Sequence, residues 1–130
     1  MWRLISVTGA LLLAVAVWAE APVDWLQAEP VNMLLLDNRF VPDHLYVRHG
    51  VPYQLQLEND GSEVHQFTAP EFFADSILLY PEMLSAGGQE IVLEPGRAVV
   101  VYFVATKPGT FRLYCPDHDW DGMVGEIVVE

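Results

Sequence analysis

The sequence has a single cysteine, Cys115, among its 130 residues. No intramolecular disulfide can form, so the fold must be held by a core or a ligand rather than by cross-links. Basic residues are also scarce: six Lys and Arg stand against eighteen Asp and Glu, a formal net charge of −12 at pH 7. Phosphate binding needs a basic footprint, so this balance argues against nucleic acid as a partner. Most of the acids read as a solvated face, and the protein partner they suit is one with a basic docking surface. Internal repeats and low-complexity tracts are absent. So is any apolar run of membrane-spanning length. The longest, from Leu4 to Trp18, is interrupted only by Ser6 and Thr8 and is shorter than the roughly 20 residues a spanning helix needs.

That run follows Arg3 and ends in Val17-Trp18-Ala19 and Ala19-Glu20-Ala21, small-residue patterns of the kind cut by signal peptidase. Residues 1–19 therefore read as a secretory leader removed after Ala19 or Ala21, with no stable membrane insertion afterwards. No cysteine follows to carry a lipid. The remainder is one domain's worth of chain, expected to be a monomer in the periplasm or a secreted space. Export leads to an oxidising compartment, where a lone exposed thiol is a liability. Cys115 is thus expected to be buried or tied to a metal.

The body of the chain reads as strands. Residues 20–30, with Pro22 and Pro30, form an arm without clear period. Val31–Leu36 is a first strand, and Asp37-Asn38-Arg39 a turn. Phe40-Val41-Pro42 leads to a second strand at Leu45-Tyr46-Val47, closed by His49-Gly50. Residues 53–59 alternate, with Tyr53, Leu55 and Leu57 on one face and Gln54, Gln56 and Glu58 on the other, as in a half-buried strand. Asp60-Gly61-Ser62 is a turn before a short extended segment, Val64–Thr68. Residues 70–86 read as an insertion with a short helix: Pro70 suits a first helical turn, and Phe72, Phe73, Ile77 and Leu78 have helical spacing. Gln89–Leu93 is a strand, Glu94-Pro95-Gly96 a turn, and Ala98–Ala105 a near-continuous apolar run expected to be a buried strand. Lys107-Pro108-Gly109 turns the chain into Thr110–Tyr114, and Gly125–Val129 closes it. The expectation is an all-β sandwich of seven to eight strands with one short helix.

Between the last two strands lies Cys115-Pro116-Asp117-His118-Asp119-Trp120-Asp121-Gly122-Met123. A thiolate, an imidazole and a thioether share one tight loop, and His65 offers a second imidazole upstream. These are the soft and borderline donors that copper favours, with Cys115, His65 and His118 in the plane and Met123 as a weak axial partner. Zinc competes poorly for such a set, since it prefers more thiolate, imidazole or carboxylate. His44 and His49, near strand ends, receive no metal role. Met33, Met83 and most aromatic residues read as packing.

With these pieces in place the chain resembles the cupredoxins, the small blue-copper proteins of the plastocyanin, pseudoazurin and azurin kind. The resemblance runs in order over residues 31–130. It is carried by Phe40-x-Pro42, Asn59-x-Gly61 before His65-Gln66-Phe67, the Glu94-Pro95-Gly96 turn, Lys107-Pro108-Gly109-Thr110-Phe111, and Tyr114-Cys115-x-x-His118-x-x-x-x-Met123-x-Gly125. It implies a Greek-key sandwich with one copper at one end, cycling between Cu(I) and Cu(II), held by His65, Cys115, His118 and Met123. It also implies that the ring at position 118 is the more exposed, and that Gln66 pins the ligand loops and offers its amide to the thiolate. One departure is Pro116, directly after the cysteine, which leaves Asp117 an N–H able to reach the sulfur. Another is Trp120 among three acids, where similar proteins present an apolar docking patch. The function implied is an exported carrier of single electrons between redox partners such as a cytochrome or oxidase, and not an enzyme. The alternative is a periplasmic copper-binding protein for copper tolerance, storage or delivery.

Overall fold

Alternation and turn chemistry place ten strands in the computed structural model, which describes Leu11, residues 13–16 and residues 21–130. Apart from those few early positions, the leader expected over residues 1–19 lies outside the described residues. Among the described residues no helix is long and apolar enough to cross a membrane.

The strands are β1 (Glu29–Leu36), β2 (Arg39–Val41), β3 (His44–Val47), β4 (Pro52–Asn59), β5 (His65–Thr68), β6 (Ser76–Leu78), β7 (Glu90–Leu93), β8 (Ala98–Ala105), β9 (Gly109–Tyr114) and β10 (Val124–Val129). They form two five-stranded sheets, ordered β2-β1-β4-β8-β6 and β3-β10-β9-β5-β7. From β2 to β9 each successive strand lies in the other sheet, the crossing pattern of a Greek-key sandwich. Between the sheets the inward residues interlock: Tyr53, Leu55 and Leu57 of β4 are buried as the alternation requires. Phe103 stacks on Tyr53 at 5.5 Å and meets Phe72 edge-on at 5.1 Å. Phe67 sits between Phe40 and Phe73 at 6.2 and 5.9 Å. Such aromatic pairs add directional attraction to the area they bury.

Three expectations change. Residues 39–47 make two strands in different sheets: Arg39–Val41 folds back on β1, and His44–Val47 runs parallel to β10 in the opposite sheet. The helix keeps Pro70 at its start but ends at Ala74. Ser76 donates its hydroxyl to the Phe72 carbonyl at 2.7 Å, and Thr106 captures the Asp75 carbonyl through both amide and hydroxyl. With the chain drawn onto the end of β8, Ile77 and Leu78 pair with Val104 and Phe103 as an edge strand instead of continuing the helix. These changes take the count from the expected seven or eight strands to ten. Finally, β8 is not buried throughout: Ala98 and Val100 are exposed while Val101 is buried, and Val100 is 39% exposed because its side chain lies on the outer face of the sheet. Further along that face Tyr102 is met edge-on by Trp25 and Tyr80.

Strand directions fix two poles. β1, β4 and β9 run towards one pole, where residues 37–38, 59–64, 94–97 and 115–123 gather. β3, β5, β8 and β10 run away from it. The far pole holds Glu29, His49 and Glu130, with the His49 amide donating to the Glu130 carbonyl at 2.8 Å.

Candidate metal centre

The first pole is where β5 and β9 part. Their ladder is confined to Thr68 opposite Tyr114. Beyond that pair β9 turns outward into the 115–123 loop, while the start of β5 carries His65 and Gln66. In the fork, the Gln66 amide points not to a carbonyl but to Cys115 Sγ, 3.5 Å away.

The loop is closed upon itself. Cys115 N donates to the Met123 carbonyl at 3.1 Å, and Met123 N to the His118 carbonyl at 3.2 Å. A 3₁₀ turn at Asp119–Asp121 ends on Gly122 at φ 91°, a left-handed position that glycine fills without a Cβ clash. Gln66 Nε2 donates to Asp117 Oδ2 at 2.9 Å, fastening β5 to the loop.

These elements bring together three of the four expected donors. His65, Cys115 and His118 offer ligand atoms that lie within 4.8 Å of one another. Cys115 Sγ is 3.9 Å from His65 Nδ1 and 3.4 Å from His118 Nδ1. Bonds of roughly 2.0–2.3 Å around a trigonal ion place neighbouring donors roughly 3.5–4 Å apart, so the residues present fit a single metal ion. Met123 is wholly buried, held by backbone bonds to Cys115 and His118. The His65 side chain is fully buried and that of His118 is 14% exposed, in the order the resemblance implies.

Burial pushes the Cys115 thiol up, while the amides of Gln66, Asp117 and His118 favour its anion; the Asp117 carboxylate acts with burial. The Cys115 thiol donates to Gln66 Oε1 at 3.0 Å, and a thiol must give up its proton to become a metal ligand.

Two residues escaped sequence reasoning. Asp37, read as part of a turn, places Oδ1 3.1 Å from His65 Nε2. Glu63 places Oε2 against His118 Nε2. Bonds from Ser62, through hydroxyl and amide, and then from His65 lower the Asp37 pKa to about 2. Glu63 stands two residues before His65, a weak local clue; Asp37 is brought in from the end of β1, which no local pattern announces. His44 and His49 lie elsewhere. The Asp43 carboxylate 2.9 Å from His44 raises that imidazole's pKa, with Glu126 adding to it. His49 Nδ1 contacts the Glu130 carbonyl at 2.7 Å.

Gly61 makes the Asp37 contact feasible. A Cβ at this position would stand 2.9 Å from His65 Nε2 and closer still to Asp37 Oδ1. Gly61→Ala is expected to force the carboxylate and ring apart and to lower metal affinity about 10- to 100-fold, the usual effect of losing a ligand's hydrogen-bond partner. Competition against a chelator of known affinity measures it; an unchanged affinity would show that the ring needs no support from Asp37.

Together these features define a β-sandwich with a candidate single-metal centre at one pole. The chain belongs to the family of cupredoxin-like domains, whose sequence model matches residues 9–129. Among solved structures, it is similar to dithionite-reduced auracyanin from the photosynthetic bacterium Roseiflexus castenholzii, at TM-score 0.60 and 17% identity over 79% of this chain and 98% of that one. Auracyanin B gives TM-score 0.58 and 17% identity over 87% and 93%. A multicopper oxidase gives TM-score 0.57 and 18% identity over 78% of this chain and 41% of the oxidase. At such identities the likeness is one of fold. No curated protein sequence matches the chain. Within this family, the arrangement of His65, Cys115, His118 and Met123 is compatible with a type 1 copper site.

Proposed function

We propose that the chain is an exported type 1 copper protein that carries single electrons between redox partner proteins. The observation that carries this is the convergence of one thiol and two imidazoles at the fork of β5 and β9, at separations suited to one ion. Bound copper supplies a one-electron couple, and a thiolate, two imidazoles and a thioether are acceptable to both of its oxidation states. The protein's part is rigidity. Cys115, His118 and Met123 sit on a loop closed by its own backbone bonds, and Gln66 ties that loop to the strand bearing His65. A donor set held this firmly changes little between states, which favours fast transfer. Four donors complete the set, which supports transfer rather than catalysis. His118, the more exposed ring, is the natural point of exit. Around it Trp120, 79% exposed, stands among Asp117, Asp119 and Asp121, a surface that suits a basic partner. The apolar stretch from Leu4 to Trp18 supports export.

The test is a titration of the purified domain with Cu(II), followed by visible absorption. An intense thiolate-to-copper band that saturates at one ion per chain is expected. Weak or multiple binding without that band would overturn the reading in favour of copper storage or delivery.

A further inference from the structure

Each imidazole at the site is approached from both sides. His65 presents Nδ1 to Cys115 Sγ and Nε2 to Asp37 Oδ1, at 3.9 and 3.1 Å. His118 repeats the arrangement, with Nδ1 3.4 Å from the sulfur and Nε2 against Glu63 Oε2. A ring that offers Nδ1 to a metal carries its proton on Nε2. That N–H then donates to the carboxylate, which fixes tautomer and orientation together.

One short turn serves both carboxylates. Asp37 Oδ1 accepts from the amides of Ser62 and Glu63 at 2.8 and 3.3 Å, and Oδ2 from the Ser62 hydroxyl at 2.7 Å. Buried Asn59 donates to the Glu63 carbonyl at 2.8 Å and accepts from the Gly61 amide at 2.9 Å. The turn that delivers Glu63 to one ring is therefore the turn that Asp37 grips while holding the other.

We propose that Asp37 and Glu63 are paired positioning residues which, through Nε2 of His65 and His118, bias the copper centre towards its oxidised state. This rests on the copper reading above. A carboxylate accepting from Nε2–H makes the imidazole a stronger donor, which favours the more highly charged ion. Two negative charges one ring away from the metal act in the same direction. Asp37 has the larger effect. It serves the fully buried ring and is fixed by three further bonds, whereas Glu63 bonds only to the more exposed ring; the two carboxylates are themselves similarly open to water, at 49% and 60%.

The test compares the copper-loaded protein with Asp37→Asn, Glu63→Gln, the double variant and Asp121→Asn. The first two substitutions keep size and remove charge. The last removes a charge from the ligand loop that bonds to neither ring. All variants should keep the thiolate-to-copper band. Asp37→Asn should raise the reduction potential by the equivalent of about a tenfold change in Cu(II)-over-Cu(I) preference, about 59 mV for one electron. Glu63→Gln should raise it less, the double variant by more than either alone, and Asp121→Asn by under about a third of the Asp37 effect. In the diamagnetic Cu(I) protein, NMR should show a hydrogen-bonded Nε2–H on each ring, and each single variant should shift only its own. Intact bands with unmoved potentials, or an equal rise in Asp121→Asn, would overturn the proposal while leaving the copper reading in place. A missing band in the unsubstituted protein would overturn both. Should Asp37→Asn fail to fold, Glu63→Gln decides alone, since that carboxylate bonds only to His118.

Discussion

Cys115→Ser is expected to abolish the thiolate-to-copper absorption completely while leaving the sandwich folded. The band requires a sulfur donor, and Cys115 is the chain's only cysteine. No other thiol can substitute. A hydroxyl in the same place is a harder donor that does not ionise near neutral pH, so copper held by the remaining imidazoles should bind far more weakly. The fold should tolerate the change. Serine is smaller, and its hydroxyl can donate to Gln66 Oε1 as the thiol does at 3.0 Å. Far-ultraviolet dichroism and the unfolding midpoint should stay close to those of the unsubstituted chain. A band that survived the substitution would place the chromophore elsewhere. Loss of the fold would make Cys115 a packing residue first and a ligand second.

Phe103→Ala is expected to cost about 3–5 kcal/mol, the usual range for removing a large aromatic side chain from a packed core. Phe103 is fully buried on β8, next to the centre of its sheet, and packs on both Tyr53 and Phe72. Alanine there opens a cavity that its rigid neighbours, one on the adjacent strand and one on the short helix, cannot close. Domains of this size are stable by about 5–15 kcal/mol, so a large share of the margin would go. Urea unfolding should show the midpoint falling by roughly 2 M, at a slope of about 1–3 kcal/mol per M. Val100→Ala, on the same strand but the outer face, should change stability by under about 1 kcal/mol. Similar losses at the two positions would mean that β8 does not divide into an inner and an outer face.

The candidate ligand loop could be picked out because its chemistry is local. Cys115, His118 and Met123 fall within nine positions, and the turn residues around them mark a strand exit and entry. Residues 53–59 were legible because period-two alternation records directly which side faces the core. What escaped was decided by contacts distant in sequence. Ile77 and Leu78 have helical spacing, yet the edge of β8 offered them ladder bonds that a five-residue helix could not match. The apolar run of β8 gave no sign that Val100 would lie open while Val101 is buried, since valine serves either face of a strand. Asp37 looked like an ordinary turn residue, because its partner His65 lies 28 positions away and meets it only once β1 and β5 are assembled.

The arrangement of strand directions has a consequence for how this protein can be held. β1 starts and β10 ends at the pole opposite the fork, so the first strand residue, Glu29, and the last residue, Glu130, lie roughly 25 Å, one strand length, from the ligand loop. A lipid surface, a fused domain or an immobilising tag joined beside Glu29 or after Glu130 would therefore grip the base of the sandwich and leave His118 and Trp120 facing outward. Moored there, the sandwich keeps clear the face proposed to trade charge.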